Sequence, residues 1–163
     1  MTKQDDPIAL EGFLPYRLAR LAAEISNQLR HIYKAEHGLT IPEWRALATL
    51  GQFGTVTAKT IGAHASMHKT KVSRAISALE ARRWVARAQN PDDRREDMLT
   101  LTSQGSQAYR KLVPKMREFE DAIVARFGDN SEGEQSIDLF ATLDALETVL
   151  GIRNAKPDKT DKP

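Results

Sequence analysis

Between Lys69 and Arg74 the run KTKVSR sets five hydrogen-bond donors, Lys69, Thr70, Lys71, Ser73 and Arg74, at the start of one helix. Lys and Arg match the O6 and N7 acceptors of guanine, while Thr and Ser donate, accept or meet a thymine methyl. Behind them Val72, Ile76 and Leu79 keep helical spacing, giving the helix an apolar back and a donor-rich leading end. That combination suits a helix whose N-terminal turn enters a DNA major groove. Thr70 and Arg74 stand where bases would be reached, with Lys69, Lys71 and Ser73 on phosphates; Lys59, one helix earlier, adds a cation. His68 has three open roles: helix cap, phosphate contact or plain exposure.

A second cluster follows. WVARAQ alternates with period two, NPDDRRED is turn chemistry, and MLTL alternates again, so residues 84–101 read as a β-hairpin with a charged tip. Arg94 and Arg95 sit at that tip. A narrow minor groove concentrates negative potential and draws in an inserted arginine, so one of the pair enters it. The other holds a phosphate or an aspartate, and Asp92 or Asp93 braces the loop. From Lys59 to Arg95 there are nine Lys or Arg against three acids, whereas Gly128 to Gly151 holds six acids and no Lys or Arg. A basic middle beside an acidic end points to one surface facing a polyanion and another repelled by it.

Catalytic chemistry finds no such support. His31, His37, His64 and His68 are scattered, and the turn expected between His64 and His68 breaks the face they would need to share a metal. Ser73 has no base and acid companions, and no Gly-rich phosphate loop exists. No catalytic residue, metal or cofactor is expected. The absence of cysteine excludes disulfides, thiol redox sensing and thiolate metal sites.

The elements that must position these donors are mostly helical. After a frayed start at 1–7, Leu14, Leu18, Leu21, Ile25, Leu29 and Ile32 mark an amphipathic helix to about Lys34, ended by Gly38. PEWRALATLGQF follows with Trp44, Leu47, Leu50 and Phe53 inward, closed by Gly51 and Gly54. Thr57 caps a short helix over AKTIGAHA, and Ser66 or His68 caps the donor-bearing helix. A long helix starts near Ser103 and is expected to kink at Pro114, which removes one ladder bond and crowds the preceding turn. A last one, about Glu132 to Leu150 with Ile137 on its stripe, ends at Gly151. The fold class is mainly α with a small β-hairpin wing. A winged helix-turn-helix at 41–102 is flanked by dimerisation helices at 8–38 and 103–151, with a disordered tail at 152–163. The terminal helices carry more apolar surface than a small winged domain can cover, so a second copy of the chain is their natural partner.

The run KVSRAISALEARRWVARAQNPDDRREDMLTLTSQG resembles the MarR-type winged-helix transcription regulators, and the likeness extends nearly end to end. It rests on Ser73-Arg74, on Leu79-Glu80, and on Asp92-Asp93-Arg94-Arg95 followed by Leu101-Thr102 and Gly105. The resemblance implies a homodimer held by its terminal helices, with paired recognition helices in successive major grooves and wing arginines in the minor groove. It implies repression relieved by a small molecule. Such sequences commonly carry Gly where Arg83 stands; a left-handed backbone there would cost a side chain roughly 1 kcal/mol.

The opening FLPYRLARLAAEISNQL looks like members that govern aromatic-acid catabolism, whose ligands are aromatic acids or their CoA thioesters. Arg17 and Arg20 are placed to meet a carboxylate, and His31 and Trp44 to supply a polar tip and an aromatic wall. Surface arginines, a surface histidine and a core tryptophan are equally what a plain helical scaffold puts there. No apolar run approaches the roughly 18 residues of a membrane span. MTKQDDPIAL lacks the parts of a secretory signal, so a cytoplasmic location is expected. The expected function is a homodimeric repressor of double-stranded DNA at a pseudo-palindromic operator, released by a small organic effector. The alternative is a sequence-tolerant architectural DNA binder without ligand control.

Overall fold

A computed structural model of the chain describes residues 7–91, 93–129 and 138–152. Asp92, the expected frayed start up to Asp6 and the tail from Arg153 lie outside them. The chain divides into two compact units, Met1–Ile41 and Pro42–Pro163.

Among the described residues the first unit holds one complete helix, α1 (Leu14–His37), with Pro15 in its opening turn, where a missing N–H costs nothing. It runs a turn past Lys34, because Gly38 is the first residue to turn left-handed (φ 65°), and its N–H returns to the Lys34 carbonyl at 2.8 Å. The apolar stripe faces outward in the single chain: Leu14, Leu18, Leu21 and Ile25 are 36–56% exposed.

In the second unit α2 (Ile41–Phe53) leads into β1 (Val56–Thr57), α3 (Ala58–His64), α4 (Lys69–Ala81), β2 (Val85–Gln89), β3 (Asp97–Leu101), α5 (Ser103–Asp129) and α6 (Leu139–Val149). The sheet is antiparallel with order β1-β3-β2, so the expected hairpin gains a short third strand through Val56↔Leu99 and Thr57↔Met98. Two residues are too few for alternation to reveal such a strand. Leu47, Leu50, Ile61, Val72, Ile76, Leu79, Leu99 and Leu112 are buried, so helix-turn-helix, sheet and α5 draw on one core.

One glycine holds a place the sequence pattern does not show, and another closes α2 as expected. Gly51 does not close α2; it lies inside the helix, where a Cβ would come within 2.5 Å of the Tyr109 ring. Gly54, at φ 77°, stands just past the helix end. Pro114 lies within α5, which runs on past it as one helix to Asp129. For α6 the cap is Asp138, whose Oδ1 accepts the Phe140 and Ala141 N–H groups at 2.9 and 3.1 Å. The expected start near Glu132, and Ile137, lie outside the described residues. Phe127, Phe140, Leu143, Val149 and Leu150 are exposed.

Candidate nucleic-acid interface

The donor-bearing helix is positioned from both ends. Thr57 Oγ1 accepts the Thr60 N–H at 3.2 Å and starts α3, as its spacing predicts. Ser66 then turns left-handed (φ 51°), and the Met67 N–H closes back on the Gly62 carbonyl at 2.9 Å. His68 occupies the N-cap of α4 with an extended backbone, but its ring makes no cap hydrogen bond, and Ser66 is taken up by the turn. Capping is thereby removed from the roles open to His68; the residue is exposed.

Along α4, Val72, Ala75, Ile76 and Leu79 are buried while Lys69, Thr70, Lys71, Ser73 and Arg74 are all exposed. The first turn holds no acid. Three cationic side chains and two hydroxyls therefore crowd the end where free backbone N–H groups already make the potential positive. At the other end the helix leaves through Arg83 at φ 60°, the left-handed exit that normally favours glycine. The Arg83 N–H meets Glu80 O at 2.8 Å and the Trp84 N–H meets Leu79 O at 2.9 Å, both bonds of a Schellman exit. The Arg82 guanidinium lies over the Trp84 ring, 5.4 Å from its centroid.

The wing tip is a folded turn. Asn90 N–H bonds Glu96 O at 3.1 Å, Glu96 N–H bonds Asp93 O at 3.0 Å, and Asp93 Oδ1 accepts the Arg95 N–H at 2.9 Å. Arg94 and Arg95 are exposed on it. A cleft of about 740 Å³ runs between α3, α4 and the hairpin, bringing Lys59, Lys69, Ser73 and Arg95 to one space over an apolar floor that includes Met67, Val72 and Ile76. His68, Thr70, Lys71, Arg74 and Arg94 do not line it.

A three-residue charge network stands at the base of the wing. Arg87 on β2 donates Nε and Nη2 to the two Glu80 carboxylate oxygens at 2.9 and 3.2 Å, and Nη1 to Asp97 Oδ2 at 2.8 Å. The hydrogen bonds from Glu80 first, then Asp97, push the Arg87 pKa well above its ordinary value, so it stays charged at every relevant pH. Sequence reasoning passed over Arg87 as one charge among nine. The hairpin register holds the signal: Arg87 faces Leu99, so Asp97 is its diagonal neighbour on the same face of the sheet.

Of the residues considered for an effector, Arg17, Arg20 and His31 are exposed on α1, with Arg20 5.8 Å from the Tyr16 ring centroid. Trp44 is half-buried on α2 and stacks on Tyr109 at 6.4 Å. None of the four lines the cleft. His64 packs edge-on against Phe53 at 4.7 Å. Among the described residues no three His, Asp or Glu gather as metal ligands, and no helix is long and apolar enough to cross a membrane.

Residues 37–96 match the family model described as MarR family. Over 114 residues the chain is 32% identical to the HTH-type transcriptional regulator YwoH of Bacillus subtilis (strain 168), itself uncharacterised, covering 70% of this chain and 80% of that one. The chain belongs to the MarR family. It is thus a DNA-binding transcriptional regulator rather than an enzyme. A crystal structure of a MarR-family regulator from Silicibacter pomeroyi is similar at 29% identity and a TM-score of 0.70, over 91% of this chain and 96% of that one. BpsR of Bordetella bronchiseptica, whose DNA binding is regulated by 6-hydroxynicotinic acid, shares the fold at 18% identity and a TM-score of 0.67, over 92% and 99% of the two chains.

In this MarR-family chain the Leu-Thr-x-x-Gly run after the wing has a mechanical basis. Leu101 is the last residue of β3 and pairs with Val85. Thr102 Oγ1 accepts the Gly105 N–H at 3.1 Å and donates to Arg83 O at 2.7 Å, while the Thr102 N–H bonds Trp84 O at 2.9 Å. Gly105 lies so close to the Trp84 backbone that a Cβ would stand 2.9 Å from its carbonyl carbon. The exit of the recognition helix is thereby fastened to the first turn of α5.

Proposed function

We propose that the chain works as a homodimeric repressor of a pseudo-palindromic operator, released by a small organic acid. The observation that carries the DNA-reading half is the exposed N-terminal turn of α4 beside a cleft whose walls hold Lys59, Lys69, Ser73 and Arg95. Thr70 and Arg74 read base edges; Lys59, His68, Lys69, Lys71 and Ser73 hold phosphates. Arg94 or Arg95 enters the minor groove, and Asp93 braces the tip through its bond to the Arg95 N–H.

The apolar stripe of α1 and the exposed apolar residues of α6 support self-association, since monomers rarely leave contiguous apolar surface of that kind in water. Half-sites then lie about 10 bp apart. An aromatic acid or its thioester is the effector class favoured, supported by the hydroxynicotinate control of BpsR. Effector recognition is assigned on chemical grounds to Arg17, Arg20, His31 and Trp44: guanidinium for carboxylate, indole for ring. The effector acts by binding more tightly to a state whose recognition helices are mis-spaced. The cytoplasm, where the operator resides, is the corresponding location.

The test is a competition. A duplex selected by the full chain from a randomised pool is titrated beside a scrambled duplex at the same salt. A specific regulator prefers the selected duplex by about a thousandfold or more; near-equal affinities would establish the architectural alternative.

A further inference from the structure

The geometry points to Arg87 as a positioning residue that ties the wing to the recognition helix through Glu80 and Asp97, so that wing arginine and helix engage one duplex together. This rests on the wing assignment above. Arg87 stands on β2, Glu80 in the last turn of α4 and Asp97 at the start of β3, so one guanidinium bridges the helix and both strands of the hairpin. The fork takes both Glu80 oxygens, fixing direction as well as distance. Beyond it the tip, Asn90–Glu96, is held by a few turn hydrogen bonds, so a small rotation at the base moves Arg94 and Arg95 farthest.

Stability gives little reason for this network. The side chains of Arg87, Glu80 and Asp97 remain 43%, 30% and 41% exposed, so solvent screening keeps even this bidentate network to a modest contribution to folding. Electrostatics gives a reason against it, because Asp97 lines the cleft beside Lys69 and Arg95, where an acid opposes a polyanion. Holding Arg87 in place is what offsets that opposition.

The clamp and simple electrostatics make opposite predictions. Removing an acid near DNA ordinarily tightens binding. If Arg87 instead left its acids to grip a phosphate, removing Glu80 would free it and again tighten binding. Under the clamp, Glu80→Ala weakens binding, because the wing must then be ordered during association. Ordering one mobile group costs enough to lower affinity roughly three- to tenfold. Alanine suits the helix, so α4 itself is kept.

The experiment measures affinity of the full chain for the selected duplex by fluorescence anisotropy. Glu80→Ala is placed in the parent and in an Arg94→Ala/Arg95→Ala background, with thermal melts alongside. The expected result is weaker binding in the parent, no weakening in the wing-less background, and melting temperatures within a few degrees. Unchanged or tighter binding of Glu80→Ala in the parent overturns the clamp, as does equal weakening in both backgrounds. If Arg94→Ala/Arg95→Ala alone binds like the parent, the wing assignment fails, and the clamp with it.

Discussion

Replacing Gly105 by alanine puts a methyl group against the backbone of Trp84. The new Cβ would stand 2.9 Å from the Trp84 carbonyl carbon and 3.1 Å from its Cα, with the carbonyl oxygen nearer still. These are main-chain atoms, so no side chain can swing aside. Overpacking of this kind costs about 1–3 kcal/mol. Relief by separating α5 from the helix exit strains the Thr102 bonds to Trp84 O and Arg83 O, roughly 1 kcal/mol each. Alanine returns about 0.5–1 kcal/mol through helix propensity. The balance is a loss of about 2–4.5 kcal/mol. Urea unfolding at fixed protein concentration, followed by tryptophan fluorescence, should show the midpoint falling by about 1 M or more with the slope unchanged. A midpoint within about 0.2 M of the parent's would refute the fastening of the helix exit to α5.

Other changes test separate parts of the account. Arg83→Gly relieves a left-handed side chain at φ 60° and should raise stability by about 1 kcal/mol, read as a melting temperature about 2–4 °C higher. Gly51→Ala should destabilise although alanine is the better helix former, because Tyr109 occupies the space; in a Tyr109→Ala background the same change should stabilise by about 1 kcal/mol. Arg74→Ala is expected to lose discrimination at one base position, seen in a repeat selection from the randomised pool. Lys71→Ala should instead weaken all duplexes alike and lower the salt slope by about one. Phe140→Glu with Leu143→Glu should leave the helical circular-dichroism signal in place while light scattering reports monomer; a persistent dimer would exclude α6 from the interface.

What the sequence made legible follows from the range of each signal. Helix patterns, the Thr57 cap and the hairpin are encoded within a turn or two of chain, so their residues announce them. The donors of α4 were visible because apolar spacing at Val72, Ile76 and Leu79 assigns its opposite face. Arg83 could be marked in advance because a left-handed exit makes a demand on one residue type. The roles of Gly51 and Gly105 lay hidden because each depends on a partner distant in the chain or turned back against it, Tyr109 for one and the Trp84 carbonyl for the other. Gly51 consequently looked like a terminator. Arg87 was obscure for another reason: in a basic stretch nothing separates an arginine with no acid beside it from the one facing two acids until the strand register is known. His68 shows the converse, since the N-cap position was foreseeable but its ring turns out not to cap.

The most direct test of the DNA-reading account is a hydroxyl-radical footprint of the full chain on its selected duplex. Two symmetry-related protected segments centred about 10 bp apart, with minor-groove protection flanking them that disappears in Arg94→Ala/Arg95→Ala, are the expected pattern. Continuous protection without register, or flanking protection that survives loss of both arginines, would contradict it.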